Sequence, residues 1–564
     1  MMTSAIVLHP GLVLILGASL LPFLRGAARN AAVLLVPLSA LLLLWQLPEG
    51  VAWQVRWLGF DLKPLATDRL STLFAAAFIL MAFGGGLFAL RQPGRTELPA
   101  AFLYAGSAVG VALAGDLITV FVFWELMAVG STLVLWCAGT PRAYAASMRY
   151  AMIHLLGGVI LFAGIAGHLT ATGDATFGRL GTATVSQWLI LIGFLINAGA
   201  PPLSAWLPDA YPEASWSGTV FLSAFTTKCA VYVLLRGYPG TELLIWVGFF
   251  MVFYGIVYAL LENDMRRLLA YSIVNQVGFM IVGIGIGTEM ALNGAAAHAV
   301  ASVFYTALML MAAGAVLERT GLRKVSELGG LFRSMPLTAL CGTIGALAIS
   351  SFPLTSGFVS KSMIPQAAAE GHLLWVWLLL AAASAGAFLS AGLRFPWLVF
   401  FHKDSGLRPA DPPSSMRWAM IFCAVPCLAL GIWPEPLYRL LPLPVQYEAH
   451  TAAHVVTQLQ LLFFSGLAFF LMLRVLKQTS TITLDLDWTW RTLLPAITRQ
   501  AGALIAGALR SLARVRSGAA DRLAQGVDRM REPQGLLVRT LSTRGMALWV
   551  MVMLLIYLLL YYVR

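Results

Sequence analysis

Four ionisable side chains lie inside long apolar segments of this sequence. They are Glu125, Lys228, Lys361 and His298. A charge inside a lipid bilayer is costly, so an ionisable residue in a membrane segment marks an ion or proton route by default. A carboxyl group, two amines and an imidazole can pass a proton by changing between charged and neutral forms. The simpler interpretation for His298 is a hydrogen bond to a backbone carbonyl.

The segments that carry these residues predict a polytopic all-α membrane protein. Hydrophobic residues make up 59% of the chain, and charged residues only 11%. The mean hydropathy is +0.81, far above that of soluble globular proteins. About 20 apolar residues cross a bilayer as a helix, which predicts about 14 or 15 transmembrane helices here. The segments are apolar on all sides, whereas strands of a membrane barrel alternate.

Basic residues in the short loops predict the orientation of these helices. Arginines cluster in alternate loops, beginning with Arg25 and Arg29 and continuing with Arg91 and Arg95. Positive loops stay in the cytoplasm, so these loops are expected there and the chain is expected in the cell inner membrane. The first apolar segment has no basic leader and no cleavage site, so we expect it to be retained. The five cysteines show no zinc, iron–sulfur or redox spacing.

A cationic stretch precedes the last apolar segment. Residues 491–545 carry ten arginines against three acidic residues, and this excess of seven positive charges is over half of the formal net charge of +12. The apolar side chains of the stretch recur with helical spacing, and they are Leu504, Ile505, Leu509, Leu512 and Val515. This pattern predicts a helix on the cytoplasmic membrane surface rather than nucleic-acid binding. A disordered basic linker is the alternative.

Two similar proline-containing segments indicate an internal repeat. Residues 201–207 read Pro-Pro-Leu-Ser-Ala-Trp-Leu, and residues 352–358 read Phe-Pro-Leu-Thr-Ser-Gly-Phe, 151 residues later. Proline inside a membrane helix frees backbone groups, which is tolerated where the break lines a cavity or is buried in protein. A matched pair of broken helices is typical of an ion path in a transporter. The predicted break residues are Pro201, Pro202, Pro353 and Gly357.

Several ordered motifs resemble one known family. They are Trp124-Glu125, Pro202-Leu203-Ser204-Ala205-Trp206-Leu207-Pro208-Asp209-Ala210, Lys228-Cys229-Ala230-Val231-Tyr232, Asn263-Asp264-Met265-Arg266-Arg267-Leu268-Leu269-Ala270-Tyr271-Ser272 and Ser356-Gly357-Phe358-Val359-Ser360-Lys361. Over about 98–401 the chain resembles the antiporter-like subunits that complex I, membrane-bound hydrogenases and Mrp-type cation/proton antiporters share. The region after 401 is most similar to the D-type subunit of the Mrp antiporters.

The resemblance implies two inverted five-helix repeats, each with one broken helix. It also implies a glutamate at Glu125, a central lysine at Lys228 and a lysine at Lys361. The chain departs from the family at three positions. Asn197 stands where a lysine is expected before the first break, and His298-x3-Ser302-x3-Thr306 replaces the usual His-x3-His-x3-Lys.

With this resemblance, the chain divides into six predicted regions. These are N-terminal transmembrane helices (1–97), a first antiporter-like repeat (98–240), a second repeat (241–401), peripheral transmembrane helices (402–480), a cationic cytoplasmic segment (481–545) and a C-terminal transmembrane helix (546–564).

The leading functional hypothesis is a proton-translocating, antiporter-like member of a multisubunit membrane complex, most like the D-type subunit of an Mrp-type cation/proton antiporter. The expected partners are other membrane subunits, membrane lipid, protons and sodium, and no nucleic acid. One alternative is a membrane-arm subunit of a quinone reductase or hydrogenase, with every redox centre on partner subunits because this sequence shows no cofactor motif. The other is a non-conducting structural homologue, which Asn197, Ser302 and Thr306 favour because each removes an expected ionisable group.

Overall fold

Helices account for nearly all of the regular structure. The computed structural model describes residues 8–57, 59–473, 485–531 and 542–562. The helices are α1 (Pro10–Leu20), α2 (Gly26–Gln46), α3 (Arg69–Phe88), α4 (Glu97–Leu113), α5 (Leu117–Trp136), α6 (Pro141–Thr172), α7 (Val185–Ala198), α8 (Trp206–Ala210), α9 (Gly218–Ala224), α10 (Thr226–Gly237), α11 (Leu243–Leu261), α12 (Met265–Ile286), α13 (Glu289–Thr320), α14 (Pro336–Ile349), α15 (Ser356–Lys361), α16 (Met363–Glu370), α17 (Leu374–Ala387), α18 (Arg394–Pro396), α19 (Ser414–Ile432), α20 (Glu435–Leu440), α21 (Ala452–Met472), α22 (Leu494–Arg531) and α23 (Thr543–Tyr562).

The prediction of an all-α polytopic membrane protein is confirmed. Within the described ranges, 12 helices are long and apolar enough to cross a membrane. Shorter apolar helices of 10–17 residues add Pro10–Phe23, Glu97–Leu113, Val185–Ala198 and Pro336–Ile349. Two of these shorter helices, α7 and α14, end at the predicted proline breaks. Counting both groups gives slightly more apolar helices than the 14 or 15 predicted.

One hairpin was not predicted. Strands β1 (Gly50–Trp57) and β2 (Phe60–Thr67) pair antiparallel between α2 and α3. Valine and tryptophan alternate along β1, which suits a strand. The hairpin holds the start of α5, since the Lys63 amide donates to the Asp116 carboxylate at 2.8 Å and the Gly115 amide donates to the Lys63 carbonyl at 2.9 Å.

The centre of the bundle is formed by three of the described membrane segments. Membrane segments Gly218–Gly237, Met265–Ile286 and Glu289–Thr320 are 94–100% buried, whereas Ala452–Met472 is 17% buried. The contacts among α10, α12 and α13, together with α9 on α13, join the two predicted repeats. The ionisable residues singled out from the sequence therefore lie on or beside the most buried helices.

Local capping signals repeat along the chain with a fixed spacing. Asp116 caps α5 and Asp264 caps α12, each with its carboxylate accepting from backbone amides of the first turn. Helices α6 and α13 are both 32 residues long, and each follows a threonine cap and ends at a left-handed glycine. Equivalent positions in these two pairs of helices lie 148 residues apart.

The repeat extends to contacts between the paired helices. Asp116 forms an isolated β-bridge with Thr176, and Asp264 forms one with Lys324, again 148 residues further along. The half-helices α7 and α14 each have 14 residues, and they begin 151 residues apart. The difference of three residues falls in the loop before α14, which is longer than the loop before α7. The predicted repeat is therefore present in the helix lengths, in the residues that cap the helices and in the isolated β-bridges.

The two repeats are inverted because an odd number of crossings separates them. Five crossings lie between the starts of α5 and α12, namely α5, α6, α7 with α8, α9 with α10, and α11. The broken helix counts as one crossing, since α7 follows the end of α6 while Asp209 of α8 pairs with Arg149 near the start of α6. Each repeat therefore enters the bundle from the opposite end.

The chain forms two compact units, Met1–Asp487 and Trp488–Arg564. The second unit contains α22, a 38-residue helix, and α23. A continuous α22 supports the helix over the linker alternative for the cationic stretch, and Gly518 and Gly526 do not interrupt it. Its residues Leu504, Ile505 and Leu509 are exposed. The side chains of Leu512 and Val515, and Arg539 of the same stretch, lie outside the described set.

Candidate functional site

Glu125 lies on α5 and faces α6 through a glycine. Its side chain is half-buried, and its Oε1 atom is shielded with no hydrogen-bond partner among the described residues. A Cβ atom added to Gly158 of α6 would lie 2.1 Å from that oxygen. Only glycine leaves room for the carboxyl group at this point, so α6 forms one wall of the Glu125 site.

Asn197 lies beside the neighbouring glycine of α6. It occupies the last turn of α7, and its amide oxygen lies 3.7 Å from the position of a Cβ atom on Gly157. Both amide atoms are buried and have no hydrogen-bond partner in the described part of the chain. Glu125 and Asn197 therefore approach α6 at consecutive residues, 157 and 158. An amide at this position leaves the carboxyl group without an ion pair from α7.

The first break follows Asn197 directly. Helix α7 ends at Gly199, whose φ of 80° is the left-handed conformation that glycine adopts readily. Pro201 and Pro202 follow, and α8 begins at Trp206. The indole of Trp206 donates to the carbonyl of Ile196 at 2.9 Å. This bond satisfies one of the carbonyl groups that the end of a helix leaves free.

Lys228 is fully enclosed on α10. Its ammonium nitrogen donates to the carbonyl of Ser223 at 2.9 Å, and it forms no ion pair with any described residue. The carbonyl lies on α9, just before the interruption between α9 and α10 at Phe225. Among the described residues, no hydrogen bond joins Lys228 directly to Glu125 or to Asn197.

A chain of hydroxyl groups joins the helices around Lys228. Tyr150 of α6 donates to Ser131 of α5 at 2.9 Å, and its oxygen lies 3.4 Å from the hydroxyl of Thr226 on α10. The Thr226 hydroxyl lies 2.6 Å from that of Tyr104 on α4, which also donates to the Leu222 carbonyl at 3.4 Å. Because Leu222 adjoins Ser223, the chain of hydroxyl groups ends one residue from the partner of Lys228.

His298 of the second repeat belongs to a network that fixes its tautomer. The amide nitrogen of Asn275 donates to the Val252 carbonyl at 3.0 Å, so its oxygen accepts from the Gln276 amide nitrogen at 2.6 Å. The Gln276 oxygen then lies 3.0 Å from Nε2 of His298. Because this oxygen can only accept a hydrogen bond, Nε2 must carry a proton. Nδ1 lies 3.2 Å from the hydroxyl of Ser360. His298 is thus bound by side chains and not by a backbone carbonyl.

Lys361 follows Ser360 at the end of α15. Its ammonium nitrogen lies 3.7 Å from the ring centre of Phe279, a cation–π contact, and has no hydrogen-bond partner in the described part of the chain. Ser302 donates only to the carbonyl of Ala299, and the hydroxyl of Thr306 has no partner among the described residues. The two substituted positions therefore add no ionisable group to this cluster.

Gly357 allows the second break to close tightly. A Cβ atom on Gly357 would lie 1.8 Å from the carbonyl oxygen of Ala348, so α15 packs against the last turn of α14. Between the two helices, Ser351 and Leu354 have φ angles of 56° and 68°. Residues other than glycine rarely adopt this left-handed backbone conformation. Backbone strain of this kind is found most often at functional sites. Pro353 lies between these two residues.

His154 was missed by the sequence analysis. It is buried on α6, within a predicted membrane segment, and its ring stacks on Tyr150 and meets the edge of Trp206. The rule that selected His298, an ionisable residue inside an apolar segment, also selects His154. Its position next to the first break depends on how α6 packs against α8, which the sequence does not state.

Ion pairs hold the ends of these helices together. Arg149 forms two bonds of 2.7 and 2.8 Å with the carboxylate of Asp209, just after the first break. Arg323 pairs with Glu213 at 3.1 Å and with Asp264 at 2.6 Å. The two carboxylates that follow the first break are thus anchors for the helix ends. Bidentate arginine contacts of this kind fix geometry as well as adding energy.

Comparison with known proteins connects this arrangement to one family. Residues 114–388 match the family described as NADH:quinone oxidoreductase/Mrp antiporter, TM. A protein of Rhizobium meliloti, named as the A/B component of a probable K(+)/H(+) antiporter, is 32% identical over 394 residues, which cover 64% of this chain and 39% of that protein. The D component of the Na(+)/H(+) antiporter of Alkalihalophilus pseudofirmus is 30% identical over 280 residues, which cover 46% of this chain and 56% of that protein.

A solved structure shows the same fold over nearly the whole chain. It is a chain of the membrane-bound sulfane sulfur reductase, an archaeal respiratory membrane complex, with a TM-score of 0.71 and 22% sequence identity. The match covers 98% of this chain and 99% of that chain. By contrast, the aligned parts span only 39% and 56% of the two curated relatives. Residues 114–388, slightly less than half of the chain, are thus similar to the membrane subunits of the NADH:quinone oxidoreductase/Mrp antiporter family.

Proposed function

We propose that this chain translocates protons as part of a multisubunit membrane complex and is most like the D-type subunit of an Mrp-type monovalent cation/proton antiporter. Two relatives are named as components of K(+)/H(+) and Na(+)/H(+) antiporters. The ions in this proposal are protons together with sodium or potassium. Its partners are other membrane subunits and membrane lipid, with the cationic helix α22 on the cytoplasmic surface.

One observation carries the proposal. Each inverted repeat has a broken helix with a buried lysine close by, Lys228 in the first repeat and Lys361 in the second, and neither lysine is in an ion pair within the described ranges. A lysine held in this way changes its proton occupancy readily, because burial works against the charged form. Two such sites with inverted orientation suit the movement of protons across a membrane in two half-paths.

The contacts of the first site suggest how the proton is held. The Ser223 carbonyl stabilises the ammonium form of Lys228 by a hydrogen bond but adds no negative charge. Glu125, half-buried and without a partner for Oε1 among the described residues, is free to bind and release a proton. No ion pair of the kind that a lysine at position 197 would supply joins these two groups in the described part of the chain.

The test is transport by the assembled complex in inverted membrane vesicles. Glu125→Gln and Lys228→Ala should each slow cation-coupled proton movement at least tenfold, since positioned acid–base groups contribute about 10²–10⁴ in rate. The matched controls are Glu435→Gln and Lys403→Ala, which change exposed residues. Equal amounts of assembled complex must be compared. Full transport by both variants would support the non-conducting homologue instead.

A second candidate is a membrane-arm subunit of a redox complex. The observation in its favour is the end-to-end fold match, including α22 and α23, with a chain of a respiratory membrane complex. Purification of the intact complex from native membranes separates the two candidates. Partner subunits that hold flavin or iron–sulfur clusters, seen by absorption spectra and mass spectrometry, would favour the redox complex. Small membrane subunits alone, with transport driven by sodium or potassium gradients, would favour the antiporter.

A further inference from the structure

We propose that His154 is the residue that holds and releases a proton between Glu125 and Lys228 in the first repeat. This inference rests on the proposed proton translocation. It gives the first repeat an ionisable group on α6, whereas Asn197 of α7 provides none.

The hydrogen bonds of His154 leave one ring nitrogen available. Nδ1 lies 2.9 Å from the carbonyl oxygen of Tyr150, and a carbonyl can only accept, so Nδ1 carries the proton. Nε2 therefore has a lone pair. This atom is buried and has no hydrogen-bond partner in the described part of the chain. An imidazole in this state can take up a proton at Nε2 without breaking its existing bond.

The ring is held firmly at the first break. Its centre lies 3.8 Å from that of Tyr150 in a stacked contact and 4.8 Å from that of Trp206 in an edge contact. Trp206 is itself fixed by its bond to the Ile196 carbonyl, the residue before Asn197. His154 is thus positioned by both halves of the broken helix, through Trp206 at the start of α8 and the end of α7.

His154 lies one helical turn from the glycine that adjoins Glu125 and one turn from Tyr150. Gly158, which contacts the Glu125 carboxyl group, is one helical turn after His154, and residues four apart lie on one face of a helix. Tyr150 is one turn before His154 on the same face, and it begins the path through Thr226 and Tyr104. One face of α6 therefore carries Tyr150, His154 and the glycine that adjoins the Glu125 carboxyl group.

In the internal repeat, His154 corresponds to a position one helical turn after His298 in the second repeat. With the offset of 148 residues, Tyr150 corresponds to His298 and His154 corresponds to Ser302. The face of α13 that carries the His298 network is thus equivalent to the face of α6 that carries Tyr150 and His154. Each repeat therefore has a buried histidine on this face, and the position of His154 is one helical turn further along than that of His298.

The proposed step moves one proton and changes no other bond. The proton leaves the carboxyl oxygen of Glu125 and binds Nε2 of His154, directly or through one water molecule, giving a carboxylate and an imidazolium. The imidazolium then gives up a proton through the hydroxyl groups, with a water molecule at each end of the path, to the neutral amine of Lys228, which becomes an ammonium ion. His154 returns to its neutral form.

The charge on His154 is coupled to several neighbours. The titratable groups of the surrounding elements are Glu125 on α5, Tyr104 on α4, Tyr150 on α6, Tyr211 after α8 and Lys228 on α10. Arg149 and Asp209, at the cytoplasmic end of the same helices by our orientation, neutralise one another in a bidentate ion pair. A change at His154 should therefore alter how transport depends on pH, beyond any change in its rate.

The experiment measures proton transport and its pH profile in vesicles that contain the assembled complex. His154→Gln should slow transport at least tenfold and change the pH profile, with normal assembly. His154→Ala should be slow as well, and added imidazole should restore part of its rate. His168→Gln, near the other end of α6, is the matched control and should keep the full rate.

Parallel variants separate this inference from the proposed function. If Glu125→Gln stops transport while His154→Gln keeps the normal rate and pH profile, the inference is wrong and the proposed function stands. If Glu125→Gln and Lys228→Ala both transport normally, the proposed function itself fails. Slow transport by His154→Gln and His154→Ala, with an unchanged pH profile and no rescue by imidazole, would indicate a purely structural role and would also overturn the inference.

Discussion

At the residue scale, two consecutive glycines of α6 determine the shape of the first site. Gly157 lies beside Asn197, and Gly158 lies against the Glu125 carboxyl group. Glycine carries a helix propensity cost of about 1 kcal/mol relative to alanine, so paired glycines inside a membrane helix require a packing reason. The space that they leave is filled by the Glu125 carboxyl group of α5 and by Ile196 and Asn197 of α7.

Gly158→Ala should displace the Glu125 carboxyl group without unfolding the bundle. The added methyl group would lie 2.1 Å from Oε1, the far end of a flexible side chain that can rotate away. We therefore expect normal amounts of assembled complex and transport slowed severalfold, because the carboxyl group leaves its position against α6. Transport assays in vesicles with immunodetection of the complex measure both effects.

Gly178→Ala is the control for this change, since no atom lies within 4 Å of its added methyl group. It should behave as the unchanged protein. Normal transport by Gly158→Ala would show that the position of the Glu125 carboxyl group is not critical.

At the element scale, the first halves of the two broken helices share a length but differ in how they end. Both half-helices α7 and α14 have 14 residues, but they end differently. The first ends at a glycine with left-handed φ, whereas the second places Ser351 and Leu354 in that conformation. Two non-glycine residues held there cost about 1–3 kcal/mol each, which the surrounding packing must offset.

Gly357→Ala should disrupt the second break. Its added methyl group would lie 1.8 Å from the Ala348 carbonyl oxygen, a backbone atom that cannot rotate away. Overpacking of this kind costs about 1–3 kcal/mol or more, so the amount of assembled complex should fall and its thermal unfolding should shift to lower temperature. Size-exclusion chromatography and a thermal melt of the purified complex measure this.

Gly94→Ala, where the added methyl group meets no atom within 4 Å, is the matched control. A Gly357→Ala complex with unchanged yield and unfolding temperature would mean that α14 and α15 do not pack as closely as described.

At the scale of the whole molecule, a buried aspartate, Asp485, lies two residues before the end of the first compact unit. The Asp485 carboxylate accepts from Tyr254 of α11 at 2.6 Å and from Tyr271 of α12. Arg267 of α12 forms ion pairs with Glu262 at 3.4 Å and with Asp487 at 3.9 Å. These contacts fix the chain to the second repeat immediately before the second unit begins at Trp488.

Asp485→Ala should loosen this attachment. Hydrogen bonds to a charged group contribute about 1.5–3 kcal/mol, so amide exchange in residues 485–487 should become at least tenfold faster. Hydrogen exchange with mass spectrometry of the purified complex measures this, and Asp521→Ala, which changes an exposed residue of α22, is the control. Equal exchange in the two variants would show that the carboxylate does not hold the segment.

The sequence predicted the fold class well, because the membrane lipid around the chain restricts the structures that it can form. In lipid every backbone polar group must be satisfied within the segment, so long apolar stretches predict helices with few alternatives. The repeat was visible from two short proline segments, and the structure extended it to the caps of α5 and α12. The hairpin between α2 and α3 was not predicted, since its alternation was short and lay between two stronger signals.

The sequence predicted which residues form the candidate site better than it predicted the contacts between them. Burial of Lys228, Lys361 and His298 followed from their apolar surroundings. Glu125 and Lys228 share no direct hydrogen bond in the described part of the chain, because each side chain contacts a different group. Glu125 lies against Gly158, and Lys228 donates to the Ser223 carbonyl.

The sequence by itself determined that the chain is an α-helical membrane protein with two repeats, each with a proline break, and which ionisable groups lie inside its apolar segments. These properties depend on composition and on local backbone chemistry. Only the tertiary structure decided which side chains meet, since contacts such as Tyr104 with Thr226 and His154 with Trp206 join residues 122 and 52 positions apart. Such contacts depend on the rotation and depth of packed helices, and a pattern of apolar residues along one helix does not specify either.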